Sequence, residues 1–229
     1  MFKEIAHRLG CGYGLENSME ALKGTIDHCN VHAFETDIQF SKDGVAFLLH
    51  DKLLNRTTNS SGYLYELTYK QIQNNVRLKN GEKVPTLDDL LTFLDGGKYQ
   101  LYLELISFGK MELLLNAIEG SSLYKNKNLI ISSFNHHDLK LVKEIKHHIP
   151  TMALLEGNPV NLSDVLKAAS VDEVGFGFDS ASESLTKVTK SLDIPAYAWT
   201  VNTLKEKSFA AKIGFDGVFT DTISPEEIK

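Results

Sequence analysis

The 229-residue sequence has little cysteine, proline or tryptophan and lacks any long hydrophobic run. Its two cysteines are Cys11 and Cys29. Since a chain of this length buries a large core without cross-links, we expect two reduced thiols. No apolar stretch approaches the roughly 18 residues of a membrane span. The first residues, 1–7, lead into a strand-like segment without the pattern of a signal peptide. These absences predict a cytoplasmic protein that does not insert into a membrane.

The sequence also has no excess of basic residues. The chain has 24 Lys and Arg against 30 Asp and Glu, a formal net charge of −6. Broad binding of nucleic acid through its phosphates is therefore disfavoured, because that binding depends on dense positive charge. An anionic ligand would need a local positive group, supplied by a metal ion or by a placed arginine.

From Pro85 onward, the sequence alternates between short apolar segments and amphipathic helical segments. Strands that alternate with helices predict βαβ units and a parallel sheet. The predicted strands are 99–105, 129–133, 151–155, 173–178, 196–201 and 217–220. The predicted helices between them are 110–119, 136–148, 162–170, 182–192 and 203–213.

The first half of the chain adds a strand that ends at His7 and two more at 34–40 and 45–50. The turn between the last two is too short for a crossover helix, so they should run antiparallel. Eight parallel strands remain, the number in a closed (β/α)8 TIM barrel, here distorted and with a small insertion at 51–84. An open doubly wound sheet is the alternative, weakened because no G-x-G-x-x-G motif follows a strand.

Two acidic residues lie two positions apart on the second strand. Glu35 and Asp37 should therefore project from the same face of the strand. Adjacent carboxylates repel each other unless a proton or a cation lies between them, and a hard cation such as Mg²⁺ or Ca²⁺ suits oxygen ligands. The alternative is a strand whose other face is buried, which leaves both acids in solvent.

Other polar side chains fall at the ends of predicted strands, where a TIM barrel has its active site. His7 and His50 could each be core histidines, although Arg8 beside His7 favours a site. Glu104 lies within an apolar strand, where an unpaired charge is costly, so a metal partner is favoured. Trp199 either packs in the core or forms the wall of a cleft.

In their order along the chain, these motifs resemble those of glycerophosphodiester phosphodiesterases. The matching segments are His7-Arg8, Glu16-Asn17-Ser18, Glu35-Thr36-Asp37, Lys42-Asp43-Gly44, His50-Asp51, Arg56-Thr57-Thr58, Pro85-Thr86-Leu87, Ser133-Phe134, Trp199-Thr200-Val201-Asn202, Gly214-Phe215-Asp216-Gly217 and Thr220-Asp221. The resemblance implies one catalytic TIM-barrel domain over residues 1–229. It also implies hydrolysis of small glycerophosphodiesters to glycerol 3-phosphate and an alcohol.

The resemblance also implies roles for individual residues. Glu35, Asp37 and Glu104 would be the ligands of Mg²⁺ or Ca²⁺. His7 and His50 would be the general acid and base, whose ordinary pKa suits proton transfer near neutral pH.

The remaining predicted residues bind the substrate or support the ligands. Arg8 would hold the phosphate, because a guanidinium grips two phosphate oxygens at once. Trp199 would line the alcohol side of the cleft. Glu16 and Asn17 either cap the first helix or hold the ligating groups in place, and we favour the second role.

One position departs from the pattern that the resemblance implies. The third acid usually occurs as Glu-x-Lys, with the lysine facing the phosphate, whereas here Ile106 follows Glu104 at that spacing. Lys110 is a candidate replacement. The change keeps two alternatives open: a catalytically weakened barrel that binds a phospho-ligand, and a phosphodiesterase that acts on a larger lipid diester. No basic amphipathic stretch supports the lipid alternative.

Overall fold

A computed structural model describes residues 2–224, whose parallel strands close into a barrel surrounded by helices. The strands are β1 (Lys3–Ala6), β2 (Ala33–Phe40), β3 (Ala46–Leu48), β4 (Gln100–Leu105), β5 (Leu129–Ser133), β6 (Thr151–Leu155), β7 (Glu173–Gly177), β8 (Ala196–Trp199) and β9 (Gly217–Thr220). All except β3 run parallel to their neighbours in the barrel. The predicted distorted (β/α)8 TIM barrel is confirmed.

The barrel closes where β1 pairs with both β9 and β2. Ala6 lies opposite Thr220 on one side and opposite Phe34 on the other. On β2 and β4, Asp37 lies opposite Glu104. The register of the two strands alone therefore places the two acids side by side, without the help of a side-chain hydrogen bond or an ion.

The β3 strand pairs antiparallel with β2, as the short turn between them predicts. Between β3 and β4 lie two helices and isolated β-bridges. A separate apolar cluster packs beneath this segment and consists of Phe47, Leu49, Leu54, Leu64, Ile72, Val76, Leu78 and Val84. Because that cluster includes residues of β3 and its end, the segment is anchored against the barrel edge that carries His50.

Helices cover the outside of the barrel and bury apolar side chains against its strands, except for the helix Tyr69–Asn75, whose Ile72 packs in the separate apolar cluster. They are α1 (Met19–His28), α2 (Tyr69–Asn75), α3 (Leu87–Phe93), α4 (Met111–Ile118), α5 (Ser122–Lys125), α6 (His136–Ile145), α7 (Leu162–Ala169), α8 (Glu183–Ser191) and α9 (Leu204–Lys212). Within residues 2–224, no helix has both the length and the apolar character needed to cross a bilayer.

Capping of α1, one of the two roles considered for Asn17, is performed by its neighbour Ser18. The Ser18 side chain accepts the hydrogen bond from the Ala21 amide and is the cap. Asn17 instead has a left-handed φ of 56° and turns towards β2. Asn17 donates instead to Asp37, whose buried carboxylate needs a hydrogen-bond donor.

The amino-terminal end of the barrel is filled with polar and aromatic side chains. Lys3 donates hydrogen bonds to Gln100 and to the Tyr102 hydroxyl, and that hydroxyl donates to Glu173 at 3.0 Å. Burial lowers the pKa of Lys3 and raises that of Glu173. This layer closes one end of the barrel, so the open end is the one at which the strands terminate.

The closing strands leave no room for a side chain at Gly217. A Cβ atom there would overlap the carbonyl of Lys3 on β1. We therefore expect Gly217→Ala to lower the free energy of unfolding by about 1–3 kcal/mol, as overpacked positions do. Urea denaturation measures it, and Gly120→Ala, where nothing lies within 4 Å of the added atom, is the control. Equal midpoints for both variants would contradict this account of closure.

Candidate active site

The period of two along each strand brings a ring of side chains to the open end of the barrel. On β2, Glu35 and Asp37 follow Ala33 on the interior face, and on β4, Glu104 follows Tyr102. His7 continues the interior face of β1 beyond Ile5. The interior-facing positions of these strands therefore carry apolar side chains in the middle of the barrel, and acids and a histidine at its open end.

Three acids converge on one point. Oxygen atoms of Glu35, Asp37 and Glu104 all lie within 4.8 Å of one another. Glu35 and Asp37 are 3% and 1% exposed, so solvent does not screen their repulsion. Burial, followed by the charges of Asp37 and Glu104, raises the pKa of Glu35 well above its ordinary value. Burial and Asp37 also raise the pKa of Glu104 to about 8.

A divalent cation fits this cluster. The Glu35 Oε1 atom is buried and has no hydrogen-bond partner among the described residues. An orphaned carboxylate oxygen next to two other carboxylates is costly unless a cation binds it. All three candidate ligands are oxygens, the type that Mg²⁺ and Ca²⁺ prefer.

Arg8 lies in the loop that wraps over this cluster. Its backbone has φ 50° and ψ 44°, the left-handed region, and this turn directs its amide to Glu35 Oε2 at 2.8 Å. Its guanidinium donates to Glu16 at 2.9 Å and has Nε 3.6 Å from Asp37. One residue thus offsets negative charge with both its main chain and its side chain.

Asn17 fixes the position of Asp37 through hydrogen bonds. Its amide nitrogen donates to Asp37 Oδ2 at 2.7 Å, and its carbonyl oxygen accepts from the Thr36 hydroxyl and the Asp37 amide. Asn17 is 1% exposed. These contacts fix the orientation of the Asp37 carboxylate, which leaves its other oxygen directed towards the cluster.

His7 is oriented by an aspartate from the far end of the chain. Its Nδ1 is 2.7 Å from Asp221 Oδ1, just after β9. Cys11 Sγ and the Asn202 amide also donate to Asp221. Burial opposes the ionisation of Asp221, but the hydrogen bonds from His7 and Cys11 outweigh it and hold its pKa below the ordinary value. Both cysteines are free thiols.

His50 has a similar partner from its own loop. Its Nδ1 is 2.7 Å from Asp51 Oδ1, and Arg56 donates to both oxygens of that carboxylate. These bonds, with that of Arg56 first, lower the pKa of Asp51 to about 2. Arg56 also pairs with Glu16, which pairs with Arg8. A chain of alternating charges therefore links the two histidine-bearing loops.

A cavity of about 170 Å³ opens among these side chains. Of the predicted site residues, it is lined by His7, Arg8, Glu35, His50, Glu104 and Trp199. Asp37, Glu16 and Asn17 do not line it and lie behind its wall. The structure adds residues to which the sequence assigned no role: Ser132, Phe134, Leu154, Glu156, Thr200 and Phe219. Glu156 directly follows β6, so its strand-end position was the signal that could have identified it.

Comparisons of the sequence with a family model and with known proteins all indicate the same family. The model of the glycerophosphoryl diester phosphodiesterase family matches residues 7–224. A glycerophosphodiester phosphodiesterase of Caldanaerobacter subterraneus is 29% identical over 231 residues, covering 95% of this chain and 93% of that protein. A protein of the same name from Bacillus altitudinis is 27% identical, with 96% and 95% covered.

Solved structures share the fold. A putative glycerophosphoryl diester phosphodiesterase from Silicibacter pomeroyi superposes with a TM-score of 0.84 at 22% identity, covering 96% of this chain and 90% of that chain. A phosphodiesterase from Oleispira antarctica, solved with the product sn-glycerol-3-phosphate, gives the same TM-score and identity, with 96% and 92% covered.

The acid cluster predicts how stability depends on pH. A carboxyl whose pKa is raised from 4.5 to about 8 binds more protons folded than unfolded, so it destabilises the metal-free protein as pH rises through this range. We expect Glu104→Gln to raise Tm by several degrees at pH 9, because it removes a charge that faces Asp37, and to have a smaller effect at pH 6.

Divalent cations give the second half of this test. Added Mg²⁺ or Ca²⁺ should raise Tm of the wild-type protein at pH 9, because a ligand that binds only the folded state stabilises it. Glu104→Gln should abolish that rise. Glu144→Gln, at an exposed position on α6, is the matched control and should behave as wild type. An unaltered response to the cation in Glu104→Gln would exclude Glu104 from the cation site.

Proposed function

We propose that this chain, which belongs to the glycerophosphoryl diester phosphodiesterase family, hydrolyses glycerophosphodiesters to glycerol 3-phosphate and an alcohol. The observation that carries the proposal is the gathering of three acids, two aspartate-bonded histidines and an arginine around one cavity. A phosphodiester needs this combination, because its own negative charge repels a nucleophile and its oxygens must exchange protons.

Glu35, Asp37 and Glu104 would hold Mg²⁺ or Ca²⁺, in keeping with the orphaned oxygen of Glu35. The cation would offset the charge of the diester and fix its orientation. Asn17 keeps Asp37 in place, and the Arg8 amide keeps one oxygen of Glu35 in place. These contacts leave the remaining carboxylate oxygens available for ligation.

His7 and His50 transfer the protons. Because Nδ1 of each ring is bonded to an aspartate, Nε2 of each ring is left to exchange a proton with the substrate. One histidine takes the proton from the attacking oxygen, and the other gives one to the leaving oxygen. Asp221 and Asp51 are positioning residues that select the tautomer and stabilise the imidazolium.

Arg8 and Trp199 bind the substrate on either side of the reacting phosphate. Arg8 lines the cavity beside Glu35, where its guanidinium can contact phosphate oxygens. Trp199 lines the same cavity and meets Phe134 edge to face, with ring centroids 5.6 Å apart. The two rings offer an apolar wall to the carbon atoms of the substrate.

Turnover tests the function directly. We expect the purified protein to release glycerol 3-phosphate from glycerophosphoethanolamine or glycerophosphoglycerol when Mg²⁺ or Ca²⁺ is present. Chelation with EDTA should stop the reaction, and excess metal should restore it, as an enzymatic assay for glycerol 3-phosphate measures. Undiminished activity after exhaustive chelation would contradict the metal requirement.

Substitution of the histidines tests the mechanism. His7→Ala and His50→Ala should each lower kcat by roughly 10²–10⁴-fold, the usual contribution of one general acid or base. Asp221→Asn should lower kcat less and leave KM nearly unchanged, because it weakens the orientation, tautomer selection and charge stabilisation of His7 but keeps the imidazole itself. His137→Ala, at an exposed position on α6, serves as the control. Near-normal kcat in both alanine variants would exclude the proposed roles.

The second candidate is a barrel that binds a phospho-ligand without efficient turnover. It is favoured by Ile106, an apolar residue that lines a cavity together with His50 and Glu104. Binding of glycerol 3-phosphate in the presence of metal, combined with no product from any diester, would support this candidate over the hydrolase.

A further inference from the structure

The catalytic cavity continues into a larger groove. An intermediate cavity of about 480 Å³ shares His50, Glu104 and Phe134 with the catalytic cavity. A cavity of about 660 Å³ lies beyond it and shares Lys52, Ile106 and Phe108 with the intermediate one. We call this outer cavity the distal groove. Its position makes it the natural continuation for any substrate group that extends past His50 and Glu104.

Three lysines line the distal groove, namely Lys42, Lys52 and Lys110, and no acidic residue does. Among the described residues, none of the three takes part in an ion pair or a side-chain hydrogen bond. Lys52 has its ammonium 5.9 Å from the centroid of the Phe108 ring. The chain has a net charge of −6, whereas this groove is lined by three unpaired cations and no acid, so its local charge is positive.

The acids next to two of these lysines in sequence do not form ion pairs with them. Asp43 is next to Lys42 in sequence, but its Oδ1 accepts from the Ser41 hydroxyl and the Tyr69 amide. Asp51 is next to Lys52, but His50 and Arg56 occupy its oxygens. The ammonium groups of Lys42 and Lys52 are therefore free to form an ion pair with a ligand.

Apolar side chains form part of the passage between the catalytic cavity and the lysines, and the charged residues Asp51, Lys52 and Glu104 line it as well. Ile106 and Phe108 line both the intermediate cavity and the distal groove. Tyr63 and Tyr65 stack on the outer side, with ring centroids 5.0 Å apart, and also line the groove. A group that reaches the lysines therefore passes along Ile106 and Phe108 and close to Asp51 and Glu104, so an uncharged connecting segment packs against the two apolar side chains and avoids repulsion from the two acids.

We propose, on the basis of the phosphodiesterase function proposed above, that the distal groove binds a negatively charged group on the leaving alcohol. The preferred substrates are glycerophosphodiesters whose alcohol carries its own phosphate or carboxylate, joined to the scissile phosphate by an uncharged segment. Lysine is suited to this task because its ammonium is a compact charge on a flexible stem. Diesters of cationic alcohols, such as ethanolamine, meet repulsion in the same groove.

Substrates with a common three-carbon alcohol test this selectivity. The neutral member is glycerophosphoglycerol, the phosphate member is glycerophosphoglycerol phosphate, and the carboxylate member is the glycerophosphodiester of glycerate. Loss of each diester is followed by phosphorus NMR in the presence of Mg²⁺. At low salt we expect kcat/KM for at least one anionic member to exceed that for the neutral member about tenfold. Two or three partly exposed ion pairs between the lysines and the substrate would account for a difference of this size. The better of the two anionic members identifies the preferred charged group.

Variants assign the preference to the groove. In Lys42→Gln/Lys110→Gln, which leaves the passage itself unchanged, the ratio of anionic to neutral kcat/KM should fall towards one. Lys140→Gln, an exposed lysine on α6 away from the cavities, should keep the wild-type ratio. Raising the ionic strength from about 0.01 M to about 1 M should also reduce the ratio, because it shortens the Debye length about tenfold.

The outcomes separate this inference from the function on which it rests. Hydrolysis of neutral and anionic members at equal rates, or a preference that survives in the double-lysine variant, overturns the distal-groove assignment and leaves the phosphodiesterase intact. Failure to hydrolyse any diester with metal present overturns the proposed function itself. Faster hydrolysis of a diester with a long acyl chain than of both anionic members assigns the groove to a lipid instead.

Discussion

Three carboxylates lie close together in a small buried space and repel one another. The contacts around the site are arranged to offset this repulsion. Glu35 and Asp37 are placed together by the period of β2, and Glu104 joins them through the parallel register of β4. Burial makes this arrangement costly in the free protein, since low dielectric strengthens the repulsion. The protein offsets part of it with the amide of Arg8 and the side chain of Asn17. The remaining negative charge would favour the cation that we propose for this site.

The same constraint explains the course of the first loop. Arg8, Leu9 and Asn17 all adopt positive φ, which non-glycine residues rarely do. This strain brings the Arg8 amide to Glu35 and the Asn17 side chain to Asp37. Glu16 then connects this loop to Arg56, so the segment after β3 and the loop after β1 are held by one set of ion pairs. Each histidine thus depends on contacts that cross from one loop to another.

The sequence predicted the barrel well because alternating apolar segments set the strands, and because a four-residue turn forced β3 to run antiparallel. It also identified the side chains at strand ends, since parallel strands bring those ends together. Of the two roles considered for Asn17, the cap of α1 belongs to Ser18 instead, and Asn17 donates to Asp37. The partnership of Arg56 with Glu16 and Asp51 was not predicted either, because ion pairs between distant loops leave no periodic signal.

Ile106 shows how charge can be divided between strands and loops. A cation at position 106, directly after β4, would lie next to the strand that carries Glu104. In this chain the position is apolar, and the lysines without ion pairs lie on loops and turns that line the distal groove. Strand positions are rigid and suit the reacting phosphate, which has the same geometry in every diester. Loop positions tolerate change and suit the leaving group, which differs between substrates. Under the proposed selectivity, lysines on the loops would therefore discriminate among alcohols, whereas a cation next to the strand would bind the phosphate that all diesters share.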